Sequence, residues 1–486
     1  MPGSMTGAPP RRPLRYQLDT GLVRLTAAER AARGKAARAA VPRTSHAAFK
    51  PAPDRPDPVA LLEEQAVTRV PELVPVRWGR MLVSPFTYFR GAALPMASDL
   101  ATTPVSGLPV QACGDAHLSN FGIFGSAERR LVFDVNDFDE TLPGPWEWDV
   151  KRLAASLEVA ARDNGFPAKQ RRDIVLAAVT SYRLAMRGFA AMTNLEVWYA
   201  RTDVEQLRAD LDSQLTAAQR KKLDEGIAKA RTRDSMRAVA KLTRAVDGRP
   251  RIISDPPLLV PVADMLPSEE DRATFIAELR SLISQYRRTL ETDRRYLLEL
   301  FEPCDMARKV VGVGSVGTRC WIVLFLGRDT DDPLFLQVKE AEKSVLSRFV
   351  GASKYTNQGQ RVVAGQRLMQ AASDIFLGWQ RTSAGLDGVA RDFYVRQLRD
   401  WKFSLDVTAM VPAGMRAYGE VCGWTLARAH ARSGDRVAIA AYLGTSDVFD
   451  RAIADFAIAY AGQNERDYEA LAQAAKSGRI TAEHGL

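Results

Sequence analysis

Three glycines, in Val311-Gly312-Val-Gly314-Ser315-Val-Gly317, constrain the fold more than any other stretch because of the residues on their C-terminal side. A Gly-x-Gly-x-x-Gly turn lets backbone approach a ligand closely, and it can open either a helix or a second strand. Here the chain continues as Cys320-Trp-Ile-Val-Leu-Phe-Leu, whose β-branched and aromatic residues suit a pleated surface. A dinucleotide-binding turn needs a helix at that point, so that reading fails. The glycines predict a strand-to-strand turn. After a second turn at Gly327-Arg-Asp-Thr-Asp-Asp-Pro, the next predicted strand ends in Gln337-Val338-Lys339-Glu340.

Around this hairpin the texture changes twice. Residues 149–300 have helical spacing, with Ser268-Glu-Glu-Asp as a capping-box start for a long helix towards 300. Beyond the hairpin come a helical stretch at 358–372, strand candidates near 374–380 and 392–398, and helices at 414–432 and 446–475. Near the other end, residues 1–55 are rich in Ala, Arg and Pro and run into a proline-rich linker, and a helix starts near Asp57. The expected class is α+β. The expected organisation is a basic, partly disordered leader at 1–55, a helical lobe at 56–300, a β-rich lobe at 301–410, and closing helices at 411–486.

The net charge of +9 looks like a nucleic-acid signal until it is located. Residues 1–55 hold eleven Lys or Arg against three Asp or Glu, so the rest of the chain is nearly neutral. No nucleic-acid partner is expected beyond weak contacts by the leader. The four cysteines lack CxxC spacing, which argues against a zinc ribbon and a disulfide framework and fits a reducing cytosol. No apolar run approaches the roughly 18–20 residues that span a bilayer, so no membrane contact is expected.

The second informative feature is acidic. Gly114-Asp115-Ala-His117-Leu-Ser-Asn120 is succeeded by Val132-Phe-Asp134-Val-Asn-Asp137-Phe-Asp139-Glu140. A hydroxyl acceptor needs a carboxylate to orient it and take its proton. A triphosphate needs Mg²⁺ on oxygen ligands such as Asp and Asn. An isolated Asp-x₄-Asn reads as a turn, since both residues bond their own backbone. The cluster around it favours a site. Gly-Asp-x-His also opens two-metal phosphoesterase motifs, but those need further histidines, and neither Asn-His nor Gly-His occurs here.

The two features together resemble the protein-kinase-like superfamily, in the version used by aminoglycoside and choline phosphotransferases. That resemblance implies Asp115 as catalytic base, Asn120 as metal ligand, and Asp137 as principal metal Asp in preference to Asp134, with Asp139 on a second ion. It implies that Gly312, Gly314, Ser315 and Gly317 cover the phosphates of ATP while Lys339 grips them. The lysine's acidic partner stays open among Glu340 and Glu342, with Gln366 as a neutral candidate. Trp148-Asp149-Val-Lys-Arg-Leu-Ala looks like the helix start after the metal loop, and Leu426-Ala-Arg-Ala-His430 like the helix that precedes the catalytic loop. Because the acidic loop here comes before the glycine hairpin, the implied fold is a two-lobed, circularly permuted one.

The pattern also resembles an uncharacterised bacterial family, a domain of unknown function grouped with that superfamily. Its phrases match residues 337–341, 365–374 and, with one extra residue, 114–120. The implied activity is Mg²⁺- and ATP-dependent phosphoryl transfer to a hydroxyl-bearing, small-molecule acceptor in the cytoplasm. A nucleotide-binding pseudokinase scaffold and a nucleotidyltransferase using the same cleft are the alternatives.

Overall fold

The computed structural model describes residues 25–486 apart from 212–216, 233–234, 267, 385–387, 399–400, 402 and 404. The chain is mixed α+β, with several small sheets set among long helices.

Four helices carry the largest core: Trp146–Asp163, Ala168–Ala191, Pro412–Ser433 and Val448–Lys476. Pro412 opens its helix where a missing N–H costs nothing. Gly423 then lets that helix sit directly on Ala168–Ala191, since a Cβ would collide with the Ala178 carbonyl. Trp146–Asp163 is buried almost throughout, including Glu147, Asp149, Lys151, Arg152 and Glu158. A helix with that many buried charges must place them against partners.

Two nested hairpins precede it. The outer one pairs Pro109–Ala112 with Leu142–Pro145, and the inner one pairs Phe121–Gly125 with Leu131–Val135. The links between inner and outer strands are residues 113–120 and 136–141, so both acidic segments emerge on the same side.

The largest sheet among the described residues has six antiparallel strands. Their order is Gly378–Thr382, Arg391–Gln397, Pro333–Glu340, Cys320–Leu326, Glu302–Lys309 and Leu259–Pro261. The glycine-rich segment joins Glu302–Lys309 to Cys320–Leu326, as the strand-to-strand turn the sequence predicts. Lys339 faces Cys320 on one neighbour and Tyr394 on the other, so all three share a face. The opposite face, with Val323, Phe325, Leu336 and Val395, packs on Tyr286, Leu279 and Ile283. Helix Gln358–Met369 comes after the lysine strand, capped by the Asn357 side chain on the Gln360 N–H.

Three expectations need correction. The leader is not uniformly linker-like: Ala27–Ala40 is a helix with a Thr26/Glu29 capping box, and Gly34 abuts the Ala438 carbonyl. Alanine and arginine are good helix formers, and the capping pair outweighs the loop-like composition. Residues 1–24 lie outside the described residues. The boundary at 300 also moves, because Leu259–Pro261 and Glu269–Arg287 belong to the sheet and its packing, and a hairpin at 243–252 interrupts the helical run. The long helix towards 300 ends at Arg287 and restarts at Thr292, leaving Thr289 to accept from the Trp379 N–H. Finally, Ala168–Ala191 is long and apolar enough by length and composition to cross a membrane. Its Arg183, however, is buried in a bidentate pair with Asp450 of Val448–Lys476.

Candidate functional site

The acidic loops, the glycine turn and the segment after Lys339 line a single cleft, which includes Asp115, Asn120, Asp137, Asp139, Gly312, Gly314 and Ser315. Lys339, almost fully buried, lies behind it, paired with the lining carboxylate of Asp139. The Lys339 ammonium donates to Asp139 Oδ2 and lies 3.9 Å from Asp137 Oδ2. Tyr394 OH donates to the other oxygen of Asp139 at 2.8 Å, and Ser315 Oγ stands 3.5 Å from Oδ2. Two stretches 200 positions apart in sequence thus meet at one carboxylate. Burial acts against the lysine's charge, yet Asp137 and Asp139 outweigh it and hold the ammonium protonated well above its ordinary range. Asp139 is depressed in return, its burial offset by the lysine and the tyrosine hydroxyl.

Asp115 lines the same cleft. Arg152 Nε donates to its Oδ1 at 2.8 Å, and the side chain keeps 19% of its surface open. Its backbone carbonyl accepts from the His117 N–H and from Asn120 Nδ2, which ties the loop into a tight arch. Burial pushes the Asp115 carboxyl up to about 6, Arg152 opposing it. His117 is buried 3.8 Å from Asp115 Oδ2, and burial beside Arg152 keeps the ring neutral. It orients the loop.

The arch is held from behind. Asp149 accepts from the Cys113 and Gly114 N–H groups at 2.6 and 2.9 Å, and His430 Nε2 lies 3.0 Å from the same carboxylate. His430 in turn bonds Tyr182 through Nδ1. Gly114 has φ +85°, and a Cβ there would strike the Glu140 carbonyl, so glycine is required. Asp134 lies elsewhere: it is buried against Arg428 and the Ala371 N–H, inside the inner hairpin. Asp137 instead keeps 32% of its side chain exposed in the cleft.

The lysine's partner is Asp139 rather than Glu340, Glu342 or Gln366. Glu340 is taken by Arg319 and Arg391, and Gln366 bonds Gln370. Helix Gln358–Met369 contributes Arg361, which clamps the carbonyls of Asp139, Thr141 and Glu342. Asp139, expected on a second ion, is thereby committed to the lysine and Tyr394. Sequence reading missed Arg152, Tyr394 and Arg361. Only Arg152 carried a signal, one helical turn after Asp149.

Asn120 and Asp137 remain as oxygen donors for a cation. No group of three or more His, Cys, Asp or Glu that could hold a metal occurs among the described residues. That donor set fits Mg²⁺, which takes one or two carboxylates plus substrate phosphates and retained waters. It does not fit a resident all-protein metal centre.

No curated protein and no solved structure matches the chain. A family model, however, matches residues 69–474, which take in both acidic loops, the glycine turn and Lys339. The chain therefore belongs to the family described as "Uncharacterized protein conserved in bacteria (DUF2252)".

Proposed function

We propose that the chain is a Mg²⁺-dependent phosphotransferase with a permuted, two-lobed kinase-like fold, carrying the γ-phosphoryl group of ATP to a hydroxyl acceptor. The observation that carries this reading is the meeting of Lys339 with Asp137 and Asp139 beneath Ser315 of the glycine turn. Kinases place a glycine-rich turn, a lysine on the third strand and a helix after it, in that sequence. The strands Glu302–Lys309, Cys320–Leu326 and Pro333–Glu340, then helix Gln358–Met369, repeat it.

In this scheme Asp115 orients the acceptor hydroxyl and takes its proton, held ready by Arg152 and the Asn120 amide. Asn120 and Asp137 would hold Mg²⁺, which would supply charge neutralisation at the phosphates. Lys339 places a fixed positive charge at the phosphates, and the glycine turn excludes water. The work is placement and charge neutralisation.

One observation favours a second reading, a non-catalytic nucleotide-binding scaffold. Helix Gln358–Met369, which follows the lysine strand, carries no acidic residue, and Lys339 pairs with Asp139 of the acidic loop instead. Measuring ATP binding and ATP turnover in wild type and Asp115→Asn separates the two. Binding with turnover that the variant loses supports the enzyme; binding without wild-type turnover supports the scaffold. No binding at all defeats both.

A further inference from the structure

The cleft has a wall the phosphotransfer scheme does not use. Arg69, Arg77 and Arg90 all line it. Arg77 is fully buried and Arg69 is 7% exposed. None of the three forms an ion pair with a carboxylate among the described residues. Arg69 commits one nitrogen to the Val316 carbonyl, and Arg77 makes 3.3 Å contacts to the Leu62 and Gly91 carbonyls and the Gln65 amide oxygen and lies over the Trp78 ring, 5.1 Å from its centroid. The Nε of each of the three is buried with no partner.

Three unpaired guanidinium groups side by side are costly. A buried charge normally finds a counter-charge, and each orphaned donor adds its own desolvation penalty. Burial lowers all three, and Arg69 lowers Arg77 further. Acids of the same cleft oppose this from beyond ion-pair distance: Glu342 acts on Arg69 and Arg77, Glu140 on Arg69, and Asp115 on Arg90. Asp115 has Arg152, Asp139 has Lys339, and Glu340 has Arg319 and Arg391. The glycine turn closes over the wall, with the Val70 N–H on the Gly317 carbonyl and Arg80 on the Gly312 carbonyl.

We infer that Arg69, Arg77 and Arg90 form a binding site for a phosphate-type anion at the inner end of the cleft. Guanidinium forks match phosphate oxygens in pairs, which suits arginine over lysine there. Two sources supply such a group: a phosphoryl group on the acceptor, or the terminal phosphate of the nucleotide. Assigning the source rests on the proposed phosphotransfer, whereas the site itself does not.

The test uses the full chain and inorganic phosphate as probe. Phosphate affinity is measured by calorimetry at constant ionic strength for wild type and Arg90→Gln, with and without Mg²⁺ and a non-hydrolysable ATP analogue. Arg90 is the least buried of the three and has no hydrogen-bond partner among the described residues, so its loss spares the fold. The variant is expected to bind phosphate at least about tenfold more weakly. Its unfolding midpoint in chloride is expected to be unchanged or higher, because an unpaired buried charge is removed. Phosphate binding that persists beside the analogue assigns the wall to the acceptor, and binding abolished by it assigns the wall to the nucleotide. Equal phosphate binding by variant and wild type, or a lowered midpoint in chloride, overturns the site. Failure of the analogue to bind sinks the phosphotransfer reading and leaves the phosphate result standing.

Discussion

Asp115 is the residue on which chemistry and titration meet. In the proposed scheme it is the general base and must be ionised, and burial has moved this carboxyl from its ordinary value near 4 up to about 6. Turnover is expected to fall as pH drops through about 6, along a limb of one proton, whereas an unshifted carboxylate would hold activity to near pH 4. A kcat/KM profile between about pH 4.5 and 8 checks this, and Asp115→Asn should lose about 10²–10⁴-fold in turnover. Glu140 supplies an independent titration. Burial pushes its carboxyl up to about 7, while the Val345 N–H and Arg361 oppose that. A carboxyl raised on folding contributes stability at low pH that disappears as pH rises through its folded value. Glu140→Gln, which keeps an acceptor for Val345, should therefore raise Tm at about pH 8 and leave it unchanged at about pH 4. Equal shifts at both pH values would refute the assignment.

At the scale of elements, the site depends on junctions between pieces that are stable for other reasons. Helix Trp146–Asp163 presents Asp149 to two backbone N–H groups of the acidic loop, and helix Pro412–Ser433 backs it with His430. Asp149→Ala leaves those buried donors unpaired and should cost about 3 kcal/mol, read as a lowered urea midpoint at unchanged m. The Lys339–Asp139 pair joins sheet to loop in the same way. Lys339→Met should cost about 3 kcal/mol by leaving a carboxylate stranded. Adding Asp139→Asn should recover most of that loss. A double-mutant cycle with zero coupling would show that the two groups do not stabilise one another.

For the molecule as a whole, ligand linkage gives the simplest readout. A ligand bound only by the folded chain adds stability as its concentration exceeds Kd, about 2.7 kcal/mol at a hundredfold excess. Mg²⁺ with ATP should raise Tm, and EDTA should remove most of the gain, because Asn120 and Asp137 alone form no resident metal centre. A Tm rise with ATP that survives EDTA would exclude the proposed cation site. Some of this architecture was legible beforehand and some was not. The strand after Gly317, the strand-end Lys339 and the helices near 412 and 448 show in local composition and period, because those signals come from neighbours a few residues away. The packing of Glu269–Arg287 on the sheet depends on distant partners and left no comparable trace, whereas the helix at Ala27–Ala40 had a local signal, the Thr26/Glu29 capping pair, set in a loop-like composition.

Local sequence specified which chemistry-bearing side chains exist and the turns that present them: an Asp-x₄-Asn arch, an acidic link after the inner hairpin, a glycine turn between strands. The pairings came only with the folded chain. Asp139 was paired with Lys339 and Tyr394, Asp134 was buried against Arg428, and three arginines from residues 69–90 were gathered into the cleft that holds Asp115. The reason is range. Turn and strand preferences act within a few residues, while a charge finds its partner by proximity in space, which this chain arranges by folding residues 69–140 and 312–394 against each other.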